Sequence, residues 1–587
     1  MTMRRNRPFR LFLASLLCLA GWTVAARGGE VLYNGIVLPE QWPPLLGDHP
    51  GVPPLVTWKN FGRVPVPPYL ERRPSTIDIS VGRQLFVDDF LIAHTSLRRT
   101  WHRPVKHPGN PVLRPEKAWE MGKGLTPMAA PFSDGCFYDP QSKRFLLWYS
   151  AGWYDSTALA TSRDGFTWER PALPVFPGTN LVALKGKPDW RRDTVSVWLD
   201  HDATRPDERF KASMFCRTGE VGSKLINHTP GLLLLASPDG IDWTIRGQTR
   251  HSKDNTTMFY NPFRRVWVFS HRIHLQHPDG SYERARAYWE TKDFFAAAGE
   301  AFFQQPPVFW SSSDAEDGLP AAAASVTAAA ADAIELGNST KPQVYKIDAT
   351  PYESLMLGLF EILTGPSNEV GAREGIPKTT DLQVAFSRDG FHWTRHRETF
   401  IGGTGKPESW DRGYISSTGG GCLVVGDELL FPYGAFRGDP ANTTTGYYTW
   451  SGLYANGATG IARLRRDGFS SMQGPGELTT HPVRFGGRRL FVNVKGALRV
   501  EVLGRDSVVI APFTKENCAI VRTDSTRVEV KWKGARDLSV LAGKPLRFRF
   551  HVENGDLYSF WVSRDGSGRS DGYVAAGGPE FRGPRDE

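Results

Sequence analysis

Cysteine and long apolar runs are scarce in this sequence. Five cysteines are spread over 587 residues, and Cys136, Cys216, Cys422 and Cys518 show none of the close spacings of a zinc site or a disulfide scaffold. Beyond residue 26 no stretch reaches the roughly 18 apolar residues that a membrane helix needs. Basic stripes are missing too: the positives come in pairs such as Arg191-Arg192 and Arg264-Arg265, which argues against nucleic acid as a partner. Helical periodicity is almost absent, and the one strong helix-forming stretch, residues 321–333, is alanine-rich and of low complexity, as expected of a surface insertion. No glycine-rich phosphate loop or dinucleotide fingerprint occurs, so no nucleotide or nicotinamide cofactor is expected. His271, His274 and His277 recur every third residue, but on a strand that spacing does not gather them on one face, and zinc is not expected. Structural calcium at aspartate-rich turns stays open.

What is present begins with a leader. Arg4, Arg5, Arg7 and Arg10 precede an apolar run over residues 11–20 and the small residues Val24-Ala25-Ala26, the pattern of a secretory signal over residues 1–26. Its removal takes four positive charges from a net +9 and leaves +5, a mild balance. The expectation is a secreted or periplasmic protein, off the membrane once the signal is cleaved. Composition is otherwise ordinary for a folded protein, with 40% apolar, 12% aromatic and 23% charged residues. Nine prolines between Pro39 and Pro68 mark residues 27–75 as an extended arm.

The rest reads as strands. Short alternating or apolar runs rich in β-branched and aromatic residues are bounded by Gly, Asp, Asn and Pro. A repeated turn punctuates them: SRDGFTW at 162–168, SPDGIDW at 237–243, SRDGFHW at 387–393, RRDGFSS at 465–471 and a weaker TKDFF at 291–295. Asp-Gly suits a tight hairpin, and the tryptophan three residues after the glycine is placed to pack between sheets. Each turn follows another hairpin, so each unit has four strands, and five such units arranged radially make a five-bladed β-propeller. The expected fold is all-β: a propeller over 76–474, then a C-terminal β-sandwich accessory domain over 475–587.

In a propeller the first strands of the blades converge on one axis, so acids near their starts are candidates for chemistry. Asp193 and Asp254 both stand seven residues before the first turn of their blades, at Asp200 and Asn261. Asp134 stands five before Asp139, the same parity. Blade four offers Asp348 and Glu353. Convergent carboxylates suit glycosidic cleavage: one protonates the leaving oxygen, one attacks or activates water, and a third stabilises an oxocarbenium-like charge.

Arg192-Asp193-Thr194-Val195, followed by an aromatic strand, resembles the Arg-Asp-Pro motif of glycoside hydrolase family 32, and the expected architecture is similar to that of families 32, 43, 68 and 130. The resemblance implies a transition-state stabiliser at Asp193. It departs elsewhere: Met128-Ala129-Ala130-Pro131-Phe132-Ser133-Asp134 replaces the nucleophile box, and Asp254-Asn255 stands where the family has Glu-Cys. It therefore carries no fructan specificity. The expected set has Asp134 as nucleophile or base, Asp193 as stabiliser, and Asp254 or Glu353 as acid.

Substrate-binding candidates are Arg192, the aromatic–acid pairs Trp119-Glu120 and Trp410-Asp411, Tyr352, and His271-Arg272, whose guanidinium matches a sugar carboxylate or sulfate. The function expected is a secreted glycosidase of polysaccharide degradation without a cofactor. A non-catalytic carbohydrate-binding propeller and a phosphate-dependent phosphorylase are the alternatives.

Overall fold

A computed structural model describes residues 29–46, 66–122, 126–184, 190–218, 227–250, 252–276, 282–299, 304–314, 316–317, 342–364, 375–439, 441 and 452–587. The leader, the alanine-rich insertion, His277 and part of the proline-rich arm lie outside the described residues.

Five four-stranded antiparallel blades close a ring. Blade I comprises Met128–Asp139, Arg144–Ala151, Ser156–Ser162 and Trp168–Glu169, and blade II Trp190–Leu199, Phe210–Thr218, Asn227–Ser237 and Thr244–Gln248. Blade III comprises Thr257–Asn261, Val266–Gln276, Tyr282–Thr291 and Val308–Ser311, and blade IV Gln343–Glu353, Leu355–Thr364, Thr379–Ser387 and Thr394–Arg395. Blade V draws its inner edge from Gly413–Ser416 and Leu423–Val425, followed by Glu428–Phe436 and Gly457–Arg465. Its outermost strand, Val105–Lys106, comes from ahead of blade I, with Ala462 opposite Lys106. That exchange seals the ring and leaves no blade edge at the seam.

The repeated turn joins the third and fourth strands of a blade. In blade I the Gly165 amide donates to Ser162 Oγ at 2.9 Å, Asp164 Oδ1 accepts from the Phe166 and Thr167 amides, and Trp168 Nε1 donates to the Gly165 carbonyl at 3.1 Å. Blades II and IV repeat the serine and aspartate bonds at Ser237-Asp239 and Ser387-Asp389. Gly240 has φ of 74°, and a Cβ there would lie 2.4 Å from the Trp148 ring, so both the backbone and the neighbouring blade require glycine. Trp148 of blade I and Trp243 of blade II donate to the same Gly240 carbonyl, which ties the two blades together. Truncating a buried tryptophan of this kind costs about 3–5 kcal/mol. In blade III a short 3-10 helix, Phe294–Ala298, replaces the hairpin, capped by Asp293. In blade V the turn leads instead into the accessory sheet.

That sheet is built from Arg489–Gly504, Val521–Glu529, Leu546–Ser563 and the short strands around them, folded as a β-sandwich over a core that includes Val492, Val500, Phe548 and Phe560. Strands between Ile77 and Trp101, and those at Ser470–Gln473, pair with it rather than with the propeller. The propeller strands thus run from Val105 to Arg465, narrower than the expected 76–474, because alternation marks a strand without naming the sheet it joins. Residues 573–577 return to the propeller and bond blades IV, V and I at the far end of the inner strands. Cys136, Cys216, Cys422 and Cys518 are buried and form no disulfide. Among the described residues no helix is long and apolar enough to cross a membrane.

Candidate active site

At the end of the ring where the inner strands begin, a cavity of about 750 Å³ opens on the axis. Backbone irregularities shape it. The inner strand of blade I slips register between Ala130 and Gly135, with Ser133 at φ 68°, and that of blade II slips between Arg192 and Val195. Asn255, at φ 59°, precedes the inner strand of blade III. Bulges next to sites re-aim side chains that a regular strand would send elsewhere.

Asp193 and Asp254 both line this cavity. A single guanidinium joins them: Arg217 Nε donates to Asp193 Oδ2 at 2.6 Å and its terminal nitrogen to Asp254 Oδ2 at 3.0 Å. Arg272 pairs with the other Asp254 oxygen. The Asn255 amide donates to Thr194 Oγ1 at 2.8 Å, and that hydroxyl lies 3.2 Å from Asp193 Oδ1. The two acids differ electrostatically. Burial raises the Asp193 carboxyl above its ordinary value, Arg217 offsets only part of this, and the charge of Asp254 adds to it. Burial also opposes ionisation of Asp254, but Arg272, Arg217 and Arg284 outweigh it and hold that carboxyl below its ordinary value. One acid is thus biased towards its protonated form and its neighbour towards its ionised form.

The remaining wall is aromatic and cationic. Trp153 stacks on Tyr454 with centroids 4.1 Å apart and planes 4° from parallel, and Phe132 and Tyr345 complete an apolar surface. Trp153 Nε1 is buried and has no acceptor among the described residues. Arg217, Lys253, Arg272, Arg284 and Lys378 supply positive charge. Burial and the charges of Arg272, Lys253 and Arg284 push His274 down to about 4, and burial with Arg286 pushes the enclosed His271 down to about 3, so both are neutral near pH 7.

Several expected residues lie elsewhere. Asp134 is fully buried in the wall, where its carboxylate accepts from Arg192 at 2.8 Å and from the Phe132 amide at 2.7 Å. Parity placed it beside Asp193, but the bulge after Ala130 breaks the parity count. Arg192 is consumed in that pair and in the Asp193 carbonyl. Glu353 and Tyr352 sit at the opposite end of their inner strand, at the junction with the accessory domain. There Glu353 meets Arg83 and Arg466, and the Tyr352 hydroxyl donates to Asp467 at 2.6 Å. Glu120 accepts from Tyr149 and Arg170 inside blade I, and Trp119 donates to Asn180. Asp411 pairs with Lys106 at the ring seam beside Trp410, which packs on Tyr433. His271 is bonded to Ser252 behind the wall, and Arg272 alone of that pair lines the cavity. Arg217, Arg284, Lys253, Lys378 and the Trp153–Tyr454 stack were not singled out from sequence. The placement of Arg217, on the second strand of blade II, follows from the blade register opposite Arg191.

Beneath the floor, Lys346 Nζ lies 4.4 Å from the Phe132 ring centre and donates to Ser133 and Ser416, while Asp348 accepts from Ser133 and Ser417. These buried groups fill the axis between the cavity and the segment 573–577. Among the described residues no three His, Cys, Asp or Glu side chains cluster closely enough to hold a metal ion.

No family model matches the sequence, and no curated protein matches it. Among solved structures, an N-acetylgalactosamine deacetylase from F. plautii is similar at 13% identity and TM-score 0.39, over 64% of this chain and 96% of that one. A β-fructofuranosidase from Schwanniomyces occidentalis is similar at 12% identity and TM-score 0.35, over 78% and 97%. A thermostable family-43 glycoside hydrolase is similar at 12% identity and TM-score 0.36, over 60% and 96%.

Proposed function

We propose that this protein is a glycoside hydrolase whose acid–base pair is Asp193 and Asp254. The observation that carries the reading is the pair itself: neighbouring blades hold two carboxylates against one guanidinium, with opposite ionisation biases, in a cavity walled by stacked aromatics. Asp193, biased towards its protonated form by burial, donates to the leaving glycosidic oxygen. Asp254, kept ionised, attacks the anomeric carbon or takes the proton of an attacking water. These roles differ from the stabiliser role that the family resemblance implied for Asp193. The aromatic wall offers a face for the apolar side of a sugar ring. With the leader over residues 1–26, the enzyme works outside the cytoplasm; a mature chain recovered from periplasm or medium without those residues tests that part.

The experiment is reducing-sugar release from a panel of glycans by the wild type, Asp193→Asn and Asp254→Asn. Both variants lose at least about a hundredfold in kcat, the ordinary contribution of an acid–base group, while unfolding midpoints stay near wild type. Full turnover in either variant overturns the assignment. A second reading, phosphorolysis, is favoured by the five cations in the wall; turnover that requires inorganic phosphate selects it.

A further inference from the structure

The charge of the cavity wall exceeds what the two carboxylates need. Arg217 and Arg272 are engaged by Asp193 and Asp254. Lys253 and Arg284 make no ion pair among the described residues, although both line the same space. Arg284 is positioned by neutral groups: its NH1 donates to Gln343 Oε1 at 3.1 Å, its guanidinium stands 5.6 Å from the Tyr345 ring centre, and its buried Nε has no acceptor among the described residues. A half-buried guanidinium that meets Asp254 only through space, with no carboxylate in contact among the described residues, gains from a ligand that supplies one. The excess field is visible on its neighbours. Burial, Arg272, Lys253 and Arg284 depress His274, and burial with Arg272 depresses Lys253. A neutral sugar needs no such field.

We propose that Arg284 and Lys253, on blade III, hold an acidic substituent of the saccharide, so that the substrate is an acidic glycan rather than a neutral one. The guanidinium fork accepts a planar carboxylate or one edge of a sulfate, and the lysine at the cavity mouth adds a mobile charge. This rests on the glycosidase reading for its site, but it is a statement about binding and is tested as one.

Equilibrium titration calorimetry on the full chain compares three probes: a trigalacturonate, a sulfated disaccharide and neutral maltotriose, each at low and high salt. An acidic probe binds at least about tenfold tighter than the neutral one, and the advantage shrinks as salt screens it. Arg284→Gln lowers the acidic-to-neutral ratio by about tenfold, the equivalent of one charge-assisted hydrogen bond. Lys253→Gln, at an exposed mouth position, lowers it less and guards against a folding defect in the first variant. The trigalacturonate and sulfate arms separate the two sources of the anion. Equal binding of acidic and neutral probes overturns the proposal, as does an unchanged ratio in both variants. Competition by inorganic phosphate together with phosphate-dependent turnover also overturns it, by giving the cations to a different ligand. Acidic binding without any cleavage leaves this inference standing and removes the hydrolase reading; cleavage of neutral glycans alone does the reverse.

Discussion

Arg217 is the sharpest place to test the electrostatic design. Its guanidinium reaches Asp193 at 2.6 Å and Asp254 at 3.0 Å, and its side chain is 13% exposed. Each bond to an ionised carboxylate contributes about 1.5–3 kcal/mol. Replacing Arg217 with Gln removes the one ion pair that Asp193 has among the described residues and leaves Asp254 with Arg272. At about 1.4 kcal/mol per pKa unit, the Asp193 carboxyl, already above its ordinary value, rises by about 1–2 units further. Asp254 rises less. Both shifts have one sign, because a cation is lost and the repulsion between the acids is less screened. If Asp193 acts protonated and Asp254 ionised, kcat/KM against pH is a bell. Its alkaline limb follows Asp193 and its acid limb follows Asp254. The variant moves the alkaline limb upward by about 1–2 units and the acid limb by less, so the bell broadens as it shifts. The assay is kcat/KM from pH 3 to 10, with carboxyl-carbon NMR titration as a readout independent of turnover. Limbs that stay fixed, or an alkaline limb that moves down, refute the reasoning.

Two further substitutions probe the buried charges outside the cavity. Glu353→Gln strips the negative charge from a junction where Glu353 meets Arg83 and Arg466 and accepts from Ser570 at 2.7 Å. Breaking a buried pair costs about 3–5 kcal/mol, so the denaturation midpoint falls while kcat of the folded enzyme holds; the opposite pattern would restore Glu353 as the acid. Glu361→Gln addresses a carboxyl that burial pushes up from its ordinary 4.5 to about 7, against the pull of Lys346 3.4 Å away. A raised folded value means stability that is full below pH 4.5 and lost as pH climbs through 7, about 3 kcal/mol in all. Urea midpoints of the wild type drop between pH 5 and 8, and those of the variant stay flat; a wild type whose midpoint rises over that window contradicts the account.

Much of the ring was legible because its signals are local. The Ser-x-Asp-Gly-x-x-Trp turn encodes its own hydrogen bonds, so lining up the turns at 162–168, 237–243 and 387–393 located the strand ends of three blades, and the divergent turns at 291–295 and 465–471 brought the count to five. The offset of Asp193 and Asp254 from Asp200 and Asn261 was equally local, and both side chains line one cavity. What failed needed information across the chain. Asp134 obeyed parity on paper, yet the bulge that turns it onto Arg192 is fixed by the pairing of residues 128–139 with 144–151 and with blade V. Glu353 lies on an inner strand, but at its wrong end, and only the docking of Arg83 and Arg466 shows that this end belongs to the accessory domain.

The cationic wall was illegible for a further reason, and it carries the main consequence. Arg217, Lys253, Arg272 and Arg284 come from three different strands and one loop, and apart from Arg272, expected beside His271 as an anion binder, nothing in the spacing of the sequence distinguishes them from surface arginines and lysines elsewhere in the chain. They acquire meaning when the ring closes and places them around two aspartates. Within that group Arg217 and Arg272 are ion-paired with the acids and dominate their ionisation, whereas Arg284 and Lys253 make no ion pair among the described residues and Arg284 acts on Asp254 only through space. Chemistry and recognition therefore separate by partner: cations already paired with a carboxylate set proton affinity, and those without an ion pair await the charge of the ligand. A variant of the first kind shifts the pH profile more than the preference between glycans, and one of the second kind shifts the preference more than the pH profile, since Arg284 lowers Asp254 less than Arg272 and Arg217 do. Arg217→Gln and Arg284→Gln, measured side by side on acidic and neutral substrates, must show that crossing pattern if the division holds.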